Sequence, residues 1–165
     1  MPKANLLITF EPVHEKSAKD EISALLKEVK ETAKILKAEE GLAEVSVKDA
    51  RKAIKSLKGL TNDKFIYTYY WWPVDEWCKA EVKSMQTCIK KLQKGIKKEE
   101  KWKLDLAKRK TDKEYPRDII IKLTEVIDKP KVDLSNPDKI IKVEIISNRA
   151  AVSVLAKNEI LKGKE

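Results

Sequence analysis

A run of cations near residue 108 is the first feature of the sequence that could do chemistry. Apolar residues alternate with polar ones up to Leu106, and three cations then follow, Lys108, Arg109 and Lys110. A strand that buries one face gains no packing from ending in three cations. The next expected helix carries Arg117, and arginine can grip a phosphate with two hydrogen bonds. These four cations are candidate phosphate contacts, and the alternative is a basic loop paired with its own acidic residues.

A second set of cations follows a helical spacing just before this run. If residues 76–98 form one helix, its apolar residues share one face and its lysines lie roughly opposite. Like charges at this spacing repel, and a purely solvated face usually contains glutamates as well. We therefore expect the lysines to extend a track for a polyanion, although a solvated lysine face is the ordinary alternative. The candidates are Lys83, Lys90 and Lys94.

The charge of the whole chain agrees with a polyanionic partner. The 165 residues carry a net charge of +9. Residues 1–74 contain 13 basic and 11 acidic side chains, whereas residues 75–165 contain 23 and 16. The excess therefore lies in the second half, where a nucleic acid is expected to bind.

Motifs for catalysis or metal binding are missing from the sequence. The single histidine is His14, and no cluster of His and Cys residues has metal-ligand spacing. We therefore expect no catalytic residue, no metal and no cofactor. The two cysteines, Cys78 and Cys88, would lie about 15 Å apart on one helix and could not form a disulfide. Two unpaired thiols and no apolar leader or membrane span predict a cytoplasmic protein that does not contact a membrane.

The periodicity of the chain predicts an α/β (α+β) fold with a change of character near residue 74. We expect helices at residues 15–37, 50–58, 76–98 and 115–127, and strands at 5–10, 43–48, 65–72, 102–109, 139–146 and 150–156. The last three strands are expected to share one sheet. Helices are expected to pack on that sheet through Leu92, Ile96, Ile120 and Leu123. The aromatic run at residues 69–72 could stack on bases, but alternation favours core packing for most of its rings.

Three stretches of the second half resemble a known domain. They are LDLAKRK, YPRDIIIKLTEVI and KVDLSNPDKIIKVEIISNRAAVSVL. Together they are similar to the THUMP domain, an RNA-binding module of tRNA modification enzymes. The resemblance implies a ferredoxin-like domain at residues 1–74 and a THUMP domain at 75–165. It also implies that Asn136, Pro137 and Asp138 form a structural turn and that Arg109 and Arg117 face RNA.

Within the THUMP proteins, the chain resembles the stand-alone kind that assists acetylation of cytidine in tRNA. This resemblance implies a non-catalytic adaptor that holds the acceptor end of tRNA and presents the tRNA to a separate acetyltransferase for N4-acetylation. Two alternatives remain open. The chain could be the RNA-binding part of a tRNA methyltransferase or thiolation enzyme with its catalytic domain on another chain. It could also be a basic module that binds an acidic protein.

Overall fold

The computed structural model describes residues 3–164, which divide into two compact units. Unit 1 contains the described residues up to Val74 together with residues 158–164. Unit 2 contains Asp75–Lys157. The second unit is therefore continuous in sequence, whereas the first is built from two separate segments.

Unit 1 is an antiparallel sheet with two helices. Its elements are β1 (Leu6–Phe10), α1 (Glu15–Glu28), β2 (Ala33–Glu39), β3 (Leu42–Val47), α2 (Ala50–Leu57), β4 (Thr68–Pro73) and β9 (Leu161–Lys162). The strands lie in the order β2-β3-β1-β4-β9. Through β4 the chain order is βαββαβ, which is the ferredoxin-like arrangement expected for the first half. This unit supplies the fourth strand, β2, that the sequence pattern did not reveal.

The expected helix over residues 15–37 is wrong in its second part. The helix α1 ends at Glu28, and Lys30 adopts a left-handed backbone with φ of 60°. The amides of Lys30 and Glu31 donate to the carbonyls of Lys27 and Leu26, which is the Schellman arrangement that terminates helices. Glycine usually occupies the left-handed position, so a lysine there gave no signal in the sequence. The glycine at position 41 lies instead in the two-residue hairpin turn between β2 and β3, where φ is 82°.

The aromatic strand β4 packs largely as expected. Trp71 is fully buried in the core of unit 1, where Phe65 meets it edge to face at 6.1 Å. Trp72 is also buried, and the hydroxyl of Tyr69 donates to Glu11. Tyr70 is 45% exposed, and Tyr69 is half-buried. The two tryptophans of the run are therefore unable to stack on bases.

Unit 2 is a four-stranded sheet covered on one face by helices. Its elements are β5 (Glu76–Lys79), α3 (Val82–Leu92), β6 (Trp102–Arg109), α4 (Ile119–Thr124), β7 (Lys139–Ile146) and β8 (Arg149–Ala156). The strand order is β5-β8-β7-β6, with β6 parallel to β7 and the other neighbours antiparallel. The prediction that residues 102–109, 139–146 and 150–156 share one sheet is therefore confirmed. Ile141, Val143 and Ile145 of the central strand lie in the core under the helices.

The helices of unit 2 are shorter than the sequence predicted. Residues 76–79 form a strand, so the expected helix over 76–98 is reduced to α3 and a 3₁₀ turn over Gln93–Gly95. The expected helix over 115–127 is reduced to the six residues of α4. Leu92, Ile96 and Leu123 do pack into the core, whereas Ile120 is 48% exposed. The expected contact through Ile120 is therefore wrong, because a helix of six residues buries only the side of Ile119 and Leu123.

Candidate nucleic-acid interface

The strand β6 places its terminal cations on two different sides of the sheet. Lys108 follows Trp102, Leu104 and Leu106 at even spacing, so it shares their side, where the helices pack. Its Nζ lies 5.8 Å from the ring centroid of Tyr115. Arg109 lies on the opposite side of the sheet. The run that looked like a single cluster in the sequence is therefore split by strand alternation.

Arg109 is engaged by a buried carboxylate. Its Nε donates to Oε1 of Glu144 at 2.6 Å, and the Glu144 side chain is 2% exposed. In the parallel register Ala107 faces Glu144, which brings Arg109 diagonally next to that carboxylate. The ion pair is an alternative to the expected phosphate contact for Arg109.

Tyr115 organises the other side of this corner. Its hydroxyl donates to the carbonyl of Ala80 at 2.6 Å, and Nζ of Lys113 donates to the same carbonyl at 3.0 Å. Lys113 Nζ also lies 5.4 Å from the Tyr115 ring centroid. Burial of the phenol and the nearby negative charge of Glu81 raise the pKa of Tyr115, so its hydroxyl stays a donor at neutral pH. Sequence reasoning missed Lys113 and Tyr115, since only the fold shows that they meet Ala80.

An open groove of about 310 Å³ lies beside this corner. It is lined by Ala80, Glu81, Lys110, Thr111, Asp112, Lys113, Ser147 and Asn148. Two acidic residues are among them, so the groove has mixed charge rather than a purely positive one. Lys110 has a left-handed backbone with φ of 52°, and so has Ser147 with φ of 59°. Ser147 and Asn148 form the two-residue hairpin turn between β7 and β8, and this turn forms one side of the groove.

The helix α3 runs away from this groove and carries a uniformly positive surface. Its sequence VKSMQTCIKKL contains no acidic residue, and Lys83 and Lys90 are exposed. They are seven residues apart, which places them on one face about 10 Å from each other. Lys94 continues the track in the following 3₁₀ turn and is also exposed. Lys91 differs from these three because its Nζ lies 3.2 Å from Glu76.

Arg117 lies just before α4 and is exposed. The helix α4 rests beside α3, where the side-chain amide of Gln86 donates to the carbonyl of Lys122 at 2.7 Å. The structure thus places Lys108, Arg117 and the lysines of α3 on the helix-covered side of unit 2.

The turn expected at residues 136–138 ties the start of β6 to the segment before β7. The backbone amide of Lys101 donates to Oδ2 of Asp138 at 2.9 Å, and the amide of Asp138 donates to the carbonyl of Lys101 at 2.8 Å. Pro137 is buried, and Oδ1 of Asn136 accepts from Lys157. These contacts support the structural role that the resemblance implied. Asp133, which the sequence did not single out, caps the turn.

The cap formed by Asp133 predicts a pH-dependent stability. Its Oδ1 accepts from the amides of Asn136 and Ser135 at 2.9 Å each, and these bonds lower the pKa of Asp133 below its ordinary value of 3.8. Because the lowered pKa belongs to the folded state, the stabilisation is complete above pH 3.8 and is lost as the pH falls further. Wild type should therefore exceed Asp133→Ala in stability at pH 6, with a gap that shrinks below pH 3.8. Urea denaturation of both proteins at pH 6 and at a pH below 3.8 measures this difference in stability. A difference of equal size at the two pH values would contradict the cap.

A second positive surface lies on unit 1. The exposed residues of α2 and its end are Arg51, Lys52, Lys55 and Lys58, and the helix contains no acidic residue. Arg51 pairs with Glu159, and both residues line a groove of about 310 Å³. Residues 1–74 carry nearly equal numbers of basic and acidic side chains, so their net charge did not reveal this local excess of positive charge.

Comparison with known families assigns the second unit. A family model described as the THUMP domain matches residues 79–155. Residues 79–155 form a THUMP domain. The match covers α3, the β6 corner, the turn at 136–138 and both strands of the final hairpin. The THUMP domain expected from the sequence is therefore confirmed, whereas membership of the acetylation-adaptor family stays a prediction.

Solved structures share the fold of both units. PH1313 from Pyrococcus horikoshii Ot3 is 18% identical with a TM-score of 0.72, over 97% of this chain and 55% of that one. TrmN from Thermus thermophilus is 14% identical with a TM-score of 0.59, over 90% and 44%. A 4-thiouridine synthetase in complex with RNA and ATP is 17% identical with a TM-score of 0.53, over 97% and 42%. The chain thus spans about half the length of these structures, and no curated protein matches it.

Between residues 3 and 164, no helix has both the length and the apolar character that crossing a bilayer requires. Within the same residues, no group of three or more His, Cys, Asp or Glu side chains could hold a metal ion.

Proposed function

We propose that the chain binds tRNA through its THUMP domain and serves a tRNA-modifying activity. The exposed lysines of α3, a helix whose own sequence contains no acidic residue, carry this proposal inside the THUMP domain. Phosphates attract such a surface without any base-specific contact, which suits a module that reads the shape of a folded RNA. A similar structure, a 4-thiouridine synthetase in complex with RNA, agrees with this proposal.

The proposed contacts follow from the positions of the cations. Lys83, Lys90 and Lys94 form a track along α3. Lys108 and Lys113, which lie beside the ring of Tyr115, extend this track at one end. Lys110 and Arg117 flank that end. Arg109 is proposed as a structural residue instead, because its Nε already donates to Glu144.

The deciding experiment measures tRNA affinity against salt concentration. Each phosphate contact contributes about 0.7 to 0.9 to the slope of log affinity against log salt. The variant with Lys83→Ala, Lys90→Ala and Lys94→Ala should therefore flatten the slope by about 2 and weaken binding by roughly tenfold or more. Fluorescence anisotropy with labelled tRNA at several salt concentrations gives both quantities.

A matched control comes from α1. Lys16, Lys19 and Lys27 are exposed lysines on a helix of unit 1, so replacing all three removes the same charge outside the proposed interface. This control should keep the wild-type slope. A folded α3 variant that binds like wild type would refute the interface. If Lys52→Ala, Lys55→Ala and Lys58→Ala weakened binding instead, the interface would move to α2.

The finer proposal is that the chain acts as a non-catalytic adaptor for N4-acetylation of cytidine. It rests on the resemblance of the chain as a whole to the stand-alone THUMP proteins, whereas VDLSNPDKIIKVEI is similar to the THUMP family in general. The chain with acetyl donor and tRNA should then give no product, whereas adding it to a tRNA acetyltransferase should raise the yield of acetylated tRNA. The α3 variant should lose this stimulation, and stimulation of equal size without tRNA binding would contradict the adaptor mechanism.

A second candidate is the RNA-binding part of a larger modifying assembly. The observation in its favour is that similar structures are about twice as long as this chain. Under this proposal the chain supports methylation or thiolation instead. Parallel assays with a tRNA methyltransferase, a thiolation enzyme and an acetyltransferase separate the two, because only the true partner should gain activity.

A further inference from the structure

Two cysteine side chains meet between the edge strand β5 and the helix α3. Cys78 lies opposite Ala150 in the sheet register, and Ala150 belongs to the core covered by the helices. Glu76 is two residues away in β5, so its side chain lies on the same side of the sheet. Cys88 reaches this place from α3 and is 5% exposed. The expectation that the thiols stand about 15 Å apart is wrong, because residues 76–79 are a strand and not part of the helix.

Hydrogen bonds hold the group together. Cys88 Sγ donates to Oε2 of Glu76 at 3.7 Å, and its single proton can turn instead to the neighbouring sulfur of Cys78. One turn further along α3, Nζ of Lys91 lies 3.2 Å from Oε1 of the same carboxylate. All four side chains of this group are thus positioned by regular secondary structure, Glu76 and Cys78 by β5 and Cys88 and Lys91 by α3.

The two thiols differ in acidity. The hydrogen bond from Cys88 lowers the pKa of Cys78, against the opposing effects of burial and the Glu76 charge. Donating that bond and being buried raise the pKa of Cys88. Cys78 is therefore the thiol that forms a thiolate, and Cys88 is the neighbour that can react with its oxidised form.

We propose that Cys78 and Cys88 form a reversible disulfide whose oxidant is a hydroperoxide. In the first step the Cys78 thiolate attacks the outer peroxide oxygen, the O–O bond breaks, and the departing alkoxide or hydroxide takes a proton from water. Cys78 is now a sulfenic acid. In the second step the Cys88 sulfur attacks the Cys78 sulfur and expels hydroxide. The Cys88 proton passes by way of Glu76 to that hydroxide, which leaves as water.

The geometry favours an internal bond over a link between chains. A disulfide needs the two sulfurs to approach to about 2.05 Å, and both sulfurs lie beside the same Glu76 carboxylate. The thiol of Cys88 is buried, so another molecule cannot easily reach it. The resulting bond would close a loop of residues 78–88 and fasten α3 to β5. This inference does not depend on tRNA binding.

The test uses the full chain, hydrogen peroxide and N-ethylmaleimide. When labelling is carried out on protein unfolded in urea, reduced protein should take up two labels, whereas peroxide-treated protein should take up none and lose about 2 Da for the two hydrogens removed. Peptide mapping without reductant should find Cys78 joined to Cys88 in monomeric protein, and dithiothreitol should restore both labels. Oxidation should also raise the Tm by about 5 °C, since the bond restricts the unfolded chain.

Single variants check the assigned roles. Cys88→Ser should accumulate a sulfenic acid on Cys78 that dimedone traps, and Cys78→Ser should slow the reaction with peroxide by at least about tenfold. Wild-type protein that keeps both thiols, or that forms only disulfides between chains, would overturn the proposal. Since that result is obtained on the wild type, misfolding of a variant cannot obscure it.

Discussion

Replacing Arg109 with alanine should lower the free energy of unfolding of unit 2 by about 3 kcal/mol. The reason is that Glu144, whose side chain is 2% exposed, loses the guanidinium that faces it at 2.6 Å. Removing one partner of a buried ion pair leaves the other charge with fewer interactions to offset its burial, and this loss exceeds the value of the pair itself. The Arg109 side chain is 32% exposed, which places the expected cost at the low end for such pairs.

Urea denaturation followed by amide hydrogen exchange in β6, β7 and β8 measures this loss in unit 2. Lys108→Ala is the matched control, because Lys108 is the exposed neighbour of Arg109 and its loss should change stability by less than about 0.5 kcal/mol. The double variant Arg109→Met, Glu144→Leu should recover most of the loss, since it leaves no buried charge.

The Arg109→Ala variant also distinguishes a structural role for Arg109 from an RNA-binding role. Under conditions in which Arg109→Ala stays folded, its tRNA affinity should remain within about twofold of wild type. If the variant instead denatures at the wild-type urea concentration and binds tRNA ten times more weakly, Arg109 contacts RNA and the pair with Glu144 is incidental.

Replacing Leu161 with alanine should destabilise unit 1 by about 2 to 4 kcal/mol. Leu161 is 5% exposed and belongs to the core of unit 1, although it follows Val74 by almost ninety positions. It lies opposite Trp71 in the pairing of β9 with β4. The substitution leaves a cavity in that core, and the surrounding side chains can close it only in part.

Two neighbouring positions sharpen this test. A Cβ on Gly163 would lie 2.6 Å from the carbonyl oxygen of Thr68, so Gly163→Ala should displace β9 and cost about 1 to 3 kcal/mol. Lys162 lies between these residues and is exposed, so Lys162→Ala should be nearly neutral. Hydrogen exchange should show faster opening in β1, β3 and β4 with unchanged protection in β6 to β8. Equal losses in both units would contradict the assignment of β9 to unit 1.

The sheet of unit 2 could be predicted from sequence because its strands are long and clearly patterned. Residues 102–109 alternate, and residues 139–146 and 150–156 form apolar runs on either side of a short polar turn. The four residues of β5 and the two of β9 are too short to show a period of their own. They become strands only because β8 and β4 offer unpaired edges.

The candidate interface was predictable in residue type but not in arrangement. The lysines of α3 were recognised from their spacing even though the helix is shorter than expected, because helical register is local. The partner of Arg109 was not recognisable, since it depends on the register between two parallel strands separated by 35 positions. The same limit hid the meeting of Lys113 and Tyr115 with Ala80, and of Cys78 with Cys88.

The return of residues 158–164 to unit 1 has a consequence for the order of folding during synthesis. The ribosome completes β4 almost ninety residues before it makes β9, so unit 1 lacks Leu161 in its core while all of unit 2 is being synthesised. During that interval the outer edge of β4, with the sequence TYYWWP, has no strand beside it. An apolar strand with an open edge is prone to pairing with other chains. The nascent protein is therefore prone to aggregate through the open edge of β4 until residues 161–162 are made and β9 covers that edge.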